Sequence, residues 1–529
     1  MWDRATRDAT WTQLSHAGEP WDLVIVGGGI TGAGVLHQAA QQGLRAVLVE
    51  AKDFAYGTSS RSTKLVHGGL RYLRQAQFRV THESLRERER LMREAPGLVN
   101  DLGFSLASFP GDSVSPWKYG LGLAIYDAMA GKWQHQKLSR EEMLHLHPEL
   151  EGSDVRSGYL YHDARTDDAR LVVRVLREAT RAGGTAINYA RVSELVRDRE
   201  GTVCGARIVD EAPGPAHGRI AEVRCKVVVN ATGVWADELR QQAGQAPRMR
   251  KIRGSHITFA YDRLPVPGAL SLLHPRDGRS VFVVPWEGVT IFGTTDKDHA
   301  PSLSEEPRIT DEEVDYLLEC VQRAFPARAL SHTDVIGTWA GVRPVINTGK
   351  ADPSKESREH AIWQERGLLT VAGGKLTTFA LMARDTLRAV APVLGKPGPR
   401  TRVFADPSAP DWPSALDDET RLRWLGRYGQ DAQAVVAGAA RDASLLSPIR
   451  GSVATWAELV HAAGHEAVVH LEDLLLRRVR LGFLLPRGGL DDMARIKQLA
   501  QPALGWDDAR WAIEQAAYER IWTHAYSGR

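Results

Sequence analysis

Three basic side chains and a neighbouring phenol could together bind an anion. Arg71 and Tyr72 follow a pair of glycines directly, and guanidinium groups bind phosphate in bidentate fashion. Arg343 lies between a glycine-containing strand and a proline, which predicts a side chain held in one direction, and Lys375 adds a further positive charge. Two ordinary alternatives stay open. Arg71 and Tyr72 could form a surface pair, and Arg343 could serve as the partner of a structural carboxylate.

The stretch from Trp21 to Glu50 is the element that would position this chemistry. It begins with a short apolar run, Leu23 to Val26, whose β-branched residues predict a buried parallel strand. Gly27, Gly29 and Gly32 then fall on the pattern GxGxxG. A helical pattern and a second apolar strand follow before the stretch ends on an acidic residue.

This order of elements predicts a dinucleotide-binding fold. The first glycine of the pattern allows a tight turn, the second lets the backbone approach a pyrophosphate, and the third lets helix and strand pack closely. Free N–H groups at the start of the helix would face the phosphates. Glu50 is placed to accept hydrogen bonds from an adenosine ribose. The alternative is a glycine-rich turn without a ligand.

Five hydroxyl side chains follow the second strand closely. Such a cluster is often a solvated loop, but a position just after a dinucleotide strand favours contacts with phosphate or ribitol oxygens. The five residues are Thr58, Ser59, Ser60, Ser62 and Thr63.

One further motif favours FAD over a nicotinamide cofactor, and another would suit the chemistry of a flavin. The turn Ala231-Thr232-Gly233 follows an apolar strand and resembles the second FAD motif of flavoproteins with two dinucleotide folds. A nicotinamide enzyme needs only the first motif. Further on, the sequence GGKLTT at 373–378 leads from a last parallel strand into a helix. A hydride that reaches flavin N5 leaves negative charge at the N1–C2=O end, and a helix start beside Lys375 would stabilise that charge.

The motifs GGGITGAG and TSSRSTKLVHGGLRYL resemble those of the flavin-dependent glycerol-3-phosphate dehydrogenases, within the D-amino-acid-oxidase-like superfamily. The resemblance extends to GSHI, GVRP and GGKLTT and covers about Asp22 to Leu485. It implies an α/β fold, with a Rossmann-like FAD-binding domain of the glutathione-reductase type over residues 1–400. An antiparallel substrate-domain sheet would be interleaved at roughly 74–160 and 251–345, and an all-α C-terminal domain would span 401–529.

The resemblance also implies roles for individual residues. His256, in the GSHI motif, would take the hydroxyl proton of the substrate, because a neutral imidazole accepts protons near physiological pH. A structural histidine is the alternative. The catalytic set would be His256, Arg343 and Lys375, and Arg71 and Tyr72 would complete the substrate site. The residues implied to contact FAD are Gly27, Gly29, Ile30, Thr31, Gly32, Glu50, Thr58, Ser59, Ser60, Lys64, Leu65, His67, Gly68, Gly69, Val192 (at the adenine, through its backbone), Ala231, Thr232, Gly233, Gly374, Lys375, Leu376, Thr377 and Thr378.

The composition excludes several other classes of function. The chain has 529 residues, which predicts two or three domains, and its 43% hydrophobic and 25% charged content is that of an ordinary soluble globular protein. A formal net charge of +2 gives no case for nucleic-acid binding. Cys204, Cys225 and Cys320 lack metal-ligand spacing, so we expect reduced thiols of a cytosolic protein and no metal site.

Membrane attachment stays open at the sequence level. The charged N-terminal stretch lacks the apolar core of a signal peptide, and no run approaches 18 apolar residues. A cytoplasmic protein, with peripheral contact to the membrane face left open, is therefore expected. Residues 114–133 are apolar and aromatic, and they predict either a helix packed over the core or a lid or membrane-contacting element. The arginines at 477, 478 and 480 predict a helix face rather than a lipid site.

These observations lead to one functional hypothesis and three rivals. The chain would oxidise sn-glycerol 3-phosphate to dihydroxyacetone phosphate by hydride transfer to FAD and pass the electrons to a membrane quinone. The rivals are an oxidase that uses oxygen on the same substrate, an amine or amino-acid oxidase of the same superfamily, and a non-catalytic dinucleotide-binding subunit. A homodimer is left open.

Overall fold

The computed structural model describes residues 2–16, 18–73, 77–351, 356, 359–399, 401–440 and 442–528, with Arg71 described in its backbone only. The strands in this part of the chain are β1 Trp21–Val26, β2 Ala46–Val49, β3 Leu65–Val66, β4 Val99–Ser108, β5 Gln136–Leu138, β6 Ser157–Thr166, β7 Thr185–Ile187, β8 Ala190–Arg197, β9 Val203–Asp210, β10 Ile220–Asn230, β11 Met249–Ala260, β12 Ala269–Leu273, β13 Ser280–Trp286, β14 Val289–Gly293, β15 Lys297–Asp298, β16 Val335–Ile346, β17 His360–Glu365 and β18 Leu368–Gly373. The helices are α1 Arg4–Ser15, α2 Ile30–Ala40, α3 Leu70–Leu73, α4 Phe78–Glu94, α5 Pro116–Ala130, α6 Arg140–Leu146, α7 Asp168–Arg181, α8 Ala236–Gln242, α9 Asp311–Ala324, α10 Phe379–Ala389, α11 Ala391–Leu394, α12 Asp418–Tyr428, α13 Ala432–Ala439, α14 Trp456–His465, α15 Leu481–Leu484, α16 Met493–Leu504 and α17 Asp508–Ala525.

The first sheet carries the predicted dinucleotide fold. Its strands run in the order β17-β18-β10-β1-β2-β7, in which β18, β10, β1, β2 and β7 are parallel to one another and β17 is antiparallel to β18. Helices α2, α7 and α10 pack their apolar residues against one face, and the antiparallel strands β8 and β9 cover part of the other. Because both faces are covered, the strands are near-continuous apolar runs, and Leu23, Val24 and Ile25 are fully buried.

The second sheet confirms the predicted substrate-domain sheet. Its order is β15-β11-β14-β13-β12-β4-β6-β3, with β16 beside β11 and β5 beside β6. The pairs are antiparallel except for β12 with β4, which are parallel. Helix α9 packs on one face through an apolar cluster, and helices of the C-terminal region pack on the other. The predicted fold class is therefore confirmed, whereas the division of the chain at residue 400 stays a prediction.

Two boundaries that the sequence predicts are wrong for physical reasons. The sequence predicts an antiparallel strand at 221–225 and a separate parallel strand from residue 226, but the two segments form one strand, β10. The first half of β10 pairs antiparallel with β9, and its second half pairs parallel with β1. The sequence after GGKLTT predicts one helix from Phe379 to Leu394, but the structure has two helices, α10 and α11, that meet at Val390. Pro392, in the first turn of α11, lacks the N–H that a continuous helix would need.

The C-terminal region is helical as predicted but more broken. The sequence predicts helices that start at Asp417 and Asp507, and both side chains cap the resulting helices, α12 and α17, which confirms the two starts. The sequence also predicts a single helix from His465 to Leu484, which the structure does not contain. In its place are a π-helical segment at 473–478 and the short helix α15, separated by Arg480 in a left-handed conformation with φ of 64°. Helix α13 was not predicted.

Helix α4 carries a buried polar face that the charge pattern did not indicate. Its arginines and glutamates predict a solvated surface, yet Glu87 and Arg88 are buried. Arg88 donates to Asp163 over 2.7 Å, and Asp163 also accepts the backbone N–H of Gly68 over 2.9 Å. One face of the helix therefore supports the glycine pair before Arg71, while the opposite face is exposed to solvent.

Candidate active site

A cavity of about 970 Å³ opens at the carboxyl ends of β1, β2, β10 and β18. This volume is at the upper end of the roughly 300–1,000 Å³ typical of ligand sites. In open α/β sheets ligands bind at this edge, where helix starts and loops converge. The first sheet therefore places the cavity where the sequence predicts a dinucleotide.

The glycine pattern forms the closest contact in the cavity wall. Gly27 has φ of +113°, and a Cβ there would lie 2.5 Å from the carbonyl oxygen of Ala231. A Cβ at Gly32 would overlap the carbonyl oxygen of Gly27. The first and second predicted FAD motifs are thus in contact, and only glycine permits that approach. At the start of α2 the backbone N–H of Ile30 donates to Ser59 Oγ over 3.0 Å.

Glu50 lies at the end of β2 and lines the cavity. Its carboxylate accepts the backbone N–H of Gly28 over 2.6 Å and that of Lys52 over 2.8 Å. Burial raises the pKa of the Glu50 carboxyl despite these two bonds. A carboxylate offers about four acceptor positions, so capacity for ribose hydroxyls remains.

Arg343 lines the cavity and also pairs with a carboxylate, and its role toward a substrate stays a prediction. It lines the cavity, with 26% of its side chain exposed. Its Nη1 also donates to Asp296 over 2.7 Å, and its Nη2 donates to Thr294 Oγ1 over 3.1 Å. A Cβ at Gly254 would overlap the guanidinium, so the neighbouring strand holds it closely. The side chain is therefore fixed in direction while one side faces the cavity.

Lys375 and Tyr72 form a second cationic corner of the cavity. The Lys375 ammonium lies 3.6 Å from the centre of the Tyr72 ring and donates to Ser84 Oγ over 3.0 Å. Both Lys375 and Tyr72 line the cavity, as does His67, whose ring stacks against Tyr72. A cation held over a phenol face is stabilised by the ring quadrupole. The side chain of Arg71, which was predicted to join this corner, lies outside the described residues.

His256 stands behind the cavity wall rather than in it. Its ring is fully buried, stacks on Trp339 and lies with Nε2 2.9 Å from Thr63 Oγ1. Burial, together with the positive charges of Arg343 and Lys64, holds the pKa of His256 well below its usual value. Thr63 does line the cavity, so the structure connects this neutral imidazole to the cavity through one hydroxyl.

The Lys64 side chain points away from the cavity. Its ammonium is fully buried and donates to both carboxylate oxygens of Asp168 over 2.9 Å and to the Ser60 carbonyl oxygen over 2.6 Å. Burial and the neighbouring Arg480 lower the pKa of Lys64 to about 7, although Asp168 opposes that shift. Lys64 is thus a structural lysine below the loop, and its predicted contact with FAD, which its side chain does not face, stays a prediction.

Most of the predicted cofactor residues meet in the cavity. Those that line it are Gly27, Gly29, Ile30, Thr31, Glu50, Thr58, Ser59, Leu65, His67, Val192, Ala231, Thr232, Gly233, Gly374, Lys375, Leu376 and Thr377. Those that lie behind its wall are Gly32, Ser60, Lys64, Gly68, Gly69 and Thr378, beside the predicted base His256. The glycines among these residues are closely packed against their neighbours. A Cβ at Gly68, for example, would overlap the Tyr126 hydroxyl.

Sequence reasoning missed one wall of the cavity. Trp235, Lys251 and Phe282 line it, as do residues 300–304 in the connection between β15 and α9. None of these carries a motif, and each belongs to an element far away in sequence from the glycine pattern. The sequence did indicate Thr63 as a candidate, because it belongs to the hydroxyl cluster. Its position beside His256, however, depends on a contact between residues 193 positions apart.

Family comparisons agree with this geometry. Residues 22–387 match the model of the FAD-dependent oxidoreductases, and residues 374–511 match the model of the C-terminal domain of alpha-glycerophosphate oxidase. Glycerol-3-phosphate dehydrogenase 2 of Mycobacterium bovis is 38% identical over 97% of this chain and 90% of that protein. The chain belongs to the FAD-dependent glycerol-3-phosphate dehydrogenase family.

Other members of the family are similarly close. The aerobic glycerol-3-phosphate dehydrogenase of Staphylococcus haemolyticus is 34% identical over 87% of this chain and 86% of its own length. Among solved structures, the glycerol-3-phosphate dehydrogenase of Bacillus halodurans, complexed with FAD, superposes with a TM-score of 0.78. That comparison covers 99% of this chain and 98% of the other at 27% identity. The predicted family and its FAD cofactor are both confirmed.

Proposed function

We propose that this protein oxidises sn-glycerol 3-phosphate to dihydroxyacetone phosphate and passes the electrons to a membrane quinone. One observation carries the proposal. The glycine cradle of a dinucleotide site and the basic residues Arg343 and Lys375 line one cavity. A small phosphate ester held by the basic residues would then lie beside the flavin end of the cofactor. The names of the relatives support the same substrate.

The cavity residues fit FAD. The pyrophosphate would lie at the start of α2, where the glycines leave room for it, and Glu50 would receive the ribose. The backbone of Val192 would face the adenine, and the amides and ammonium of Gly374 and Lys375 would face the flavin. Bound FAD supplies the acceptor for the hydride that leaves the substrate carbon.

This chain's own side chains would bind the substrate and remove its hydroxyl proton. Arg343 and Lys375 would bind the phosphate group, beside Tyr72 and the predicted Arg71. Thr63 would pass the hydroxyl proton to His256, since the Thr63 hydroxyl lies between the cavity and the imidazole. A neutral imidazole can accept that proton. Orientation of the substrate in this cavity would contribute several kcal/mol, on the order of 7 or more.

An anaerobic titration tests the proposal. The purified holoenzyme should be yellow and should lose its flavin absorbance on addition of glycerol 3-phosphate without oxygen. A matched panel of glycerol, glycerol 2-phosphate and small amino acids should leave the absorbance unchanged. Bleaching by an amino acid and not by glycerol 3-phosphate would contradict the proposed substrate. A protein that binds FAD but bleaches with no member of the panel would support the non-catalytic rival.

An oxidase is the second candidate, because residues 374–511 match a domain model named for alpha-glycerophosphate oxidase. The two candidates differ in the electron acceptor rather than in the substrate. Release of hydrogen peroxide at the rate of substrate oxidation, with no added acceptor, would favour the oxidase. Reduction of a quinone analogue at a faster rate than oxygen would favour the dehydrogenase.

Peripheral membrane contact is part of the proposal. In the described part of the chain, the helices are too short or too polar to cross a bilayer. Helix α5 nevertheless presents Trp117, Leu121 and Ile125 on one stripe, with Trp117 64% and Leu121 56% exposed, and Trp133 beyond it is 70% exposed. Tryptophan and aliphatic side chains on an exposed helix face are typical of segments that lie in a membrane interface.

Vesicle sedimentation tests this contact. The double variant Trp117→Ser and Leu121→Ser should lower binding to anionic vesicles while the flavin spectrum is unchanged. Ile513→Ser on α17 is the matched control, since Ile513 is equally exposed but lies on another helix. If both variants lost vesicle binding equally, or if neither variant lost it, the proposed role of α5 would be contradicted. The proposal also includes a cytoplasmic location at the membrane face and a homodimer. Sedimentation velocity would measure the oligomeric state.

A further inference from the structure

Three arginines from the C-terminal region reach under the loop that follows β2. Arg477 and Arg478 end the π-helical segment at 473–478, and Arg480 follows it. All three side chains are buried. We define the nucleotide loop as residues 51–64, the segment between Glu50 and β3, and several of its residues line the cavity.

The first anchor holds the beginning of the nucleotide loop. Asp53 lies three residues after Glu50 and is fully buried. Arg478 donates to its two carboxylate oxygens over 2.8 and 2.7 Å, and Arg477 Nε donates to one of them over 2.6 Å. Asn188 Nδ2, at the end of β7, adds a bond of 3.2 Å. The fork geometry of a bidentate arginine fixes the orientation of this carboxylate as well as its position.

The second anchor holds the end of the nucleotide loop. Arg480 Nη2 donates to the Ser60 carbonyl oxygen over 2.9 Å and to Asp168 Oδ1 over 3.0 Å. Asp168, at the start of α7, also accepts the backbone N–H of Ser62 over 2.9 Å, the hydroxyl of Ser62 over 2.7 Å, and Lys64 Nζ. Every bond of this anchor converges on the loop residues 60–64.

Residues 56–59, between the two anchors, line the cavity. Thr58 Oγ1 donates to the carbonyl oxygen of Val342, and Ser59 Oγ accepts the N–H of Ile30 at the start of α2. Any shift of the loop would therefore move groups that lie where a pyrophosphate would bind. The nucleotide loop is thus held at both ends, and its central part carries the hydroxyl groups that face the cavity.

Stability alone does not account for so many buried charges. Removal of charged groups from water is costly, and apolar replacements of buried ion pairs are often neutral or stabilising. An ion pair does impose a defined geometry, as a polar group in a coiled-coil core fixes its register. π-Helical segments are likewise frequent at functional sites. The arrangement is therefore suited to holding the loop in place rather than to stabilising the fold.

We infer that Arg477, Arg478 and Arg480 are positioning residues for FAD, through which the C-terminal helical domain sets the affinity of the nucleotide loop for the cofactor. None of the three lines the cavity, so they act through Asp53, Ser60 and Asp168. The inference concerns retention of FAD and stands whichever substrate the enzyme oxidises. Failure of the substrate proposal would leave FAD binding intact, so the two can be told apart.

The test compares two buried arginine forks of the same domain. Arg478→Gln removes the fork to Asp53, whereas Arg423→Gln removes a fork to Glu458, of 2.9 and 2.6 Å, that lies within the helical domain and away from the loop. The dissociation constant of FAD is measured on both holoenzymes from the flavin fluorescence released on dilution. The melting temperature of each variant is measured in parallel. The change in FAD affinity can then be compared between variants that have lost a similar amount of stability.

The expected result is a selective loss of FAD. Arg478→Gln should raise the FAD dissociation constant about ten- to a hundred-fold, the loss known for the hydrogen-bond partners that orient metal ligands, because Arg478 orients Asp53 and the loop in the same indirect way. Arg423→Gln should leave the constant within about two-fold of the parent at a similar fall in melting temperature. Arg478→Lys, which keeps the charge but not the fork, should fall between the parent and Arg478→Gln.

Two results would overturn the inference. One is an unchanged FAD dissociation constant in Arg478→Gln. The other is an equal rise in the Arg423→Gln control, which would mean that any loss of stability releases the flavin. If Arg478→Gln does not fold, the comparison of Arg478→Lys with Arg423→Lys decides between the same two outcomes, because both variants keep a buried cation in place.

Discussion

Replacement of Arg343 by alanine should weaken substrate binding without loss of the flavin. Arg343 faces the cavity while its guanidinium is held by Asp296 and Thr294. A phosphate group bound there would lose charge-assisted hydrogen bonds worth about 1.5–3 kcal/mol each. The side chain is 26% exposed, so we take about 3 kcal/mol for the pair of donors rather than the upper limit. Since about 1.4 kcal/mol corresponds to tenfold, KM for glycerol 3-phosphate should rise roughly 100-fold.

A matched control separates this effect from damage to the carboxylate partner. Arg279 Nη2 lies 3.0 Å from the other oxygen of Asp296 but does not line the cavity. Arg279→Ala therefore removes one of the two arginines from Asp296 while the cavity side chain stays in place. Asp296 keeps one arginine partner in either variant, so both proteins should fold. We expect KM in the Arg279→Ala protein to stay within about three-fold of the parent, against the roughly 100-fold rise in Arg343→Ala.

Steady-state kinetics with an artificial electron acceptor and the visible flavin spectrum are the two measurements. Arg343→Ala should keep the full flavin absorbance per protein molecule, and an excess of substrate should restore most of kcat. Loss of flavin with an unchanged KM would refute the assignment of Arg343 to the phosphate. An equal rise of KM in both variants would refute it as well, because the effect would then come from Asp296.

The same structure makes four further predictions. Gly32→Ala should abolish FAD binding, because the added Cβ would overlap the Gly27 carbonyl oxygen; a yellow Gly32→Ala protein would contradict this. Burial alone would raise the pKa of Glu458, but Arg423 and Arg427 lower that pKa to about 2. The charge of Glu458 therefore stabilises the fold above the usual pKa of 4.5, and this contribution is lost as the pH falls toward 2. Glu458→Gln should therefore lower the free energy of unfolding by about 3 kcal/mol at neutral pH, with the difference shrinking below pH 4.5 in urea titrations. Thr63→Val should lower kcat about 100-fold with FAD retained, whereas Thr63→Ser should not, and equal rates would contradict the role of the hydroxyl. Because burial and the nearby cations hold the pKa of His256 well below its usual value, kcat at saturating substrate should stay level as the pH falls from about 7.5 to 6.5, and a fall of kcat over this range would contradict a neutral His256.

The sequence predicted well those features of the site that depend on residues close together in the chain. The turn at Gly27, the helix start after it and the acid that ends β2 depend on residues within 30 positions of one another. Their geometry follows from the small size of glycine and from the free N–H groups of a helix start. The same holds for the turn Ala231-Thr232-Gly233 and for GGKLTT. Each of these motifs lies at the end of its own parallel strand, and parallel strands bring their carboxyl ends together.

Contacts between distant segments were the part that sequence could not supply. Lys64 belongs to a motif that suggests a cofactor contact, yet its ammonium is directed to Asp168, 104 residues away. The burial of His256 depends on Trp339 and on Thr63, which belong to other elements. The expected helix through Arg480 failed for a related reason. The left-handed residue there turns the chain so that the arginine reaches Asp168, a tertiary gain that outweighs helix propensity.

The position of strand β10 determines when the first sheet can be completed during synthesis. This strand sits between β1 near the beginning of the chain and β18 near residue 370, so its two neighbours are made far apart in time on the ribosome. Until β18 has emerged, one edge of β10 offers unpaired backbone groups to other chains. Pairing over such separations is slow, and we expect the nascent polypeptide to depend on chaperones and to capture its coenzyme only late in synthesis.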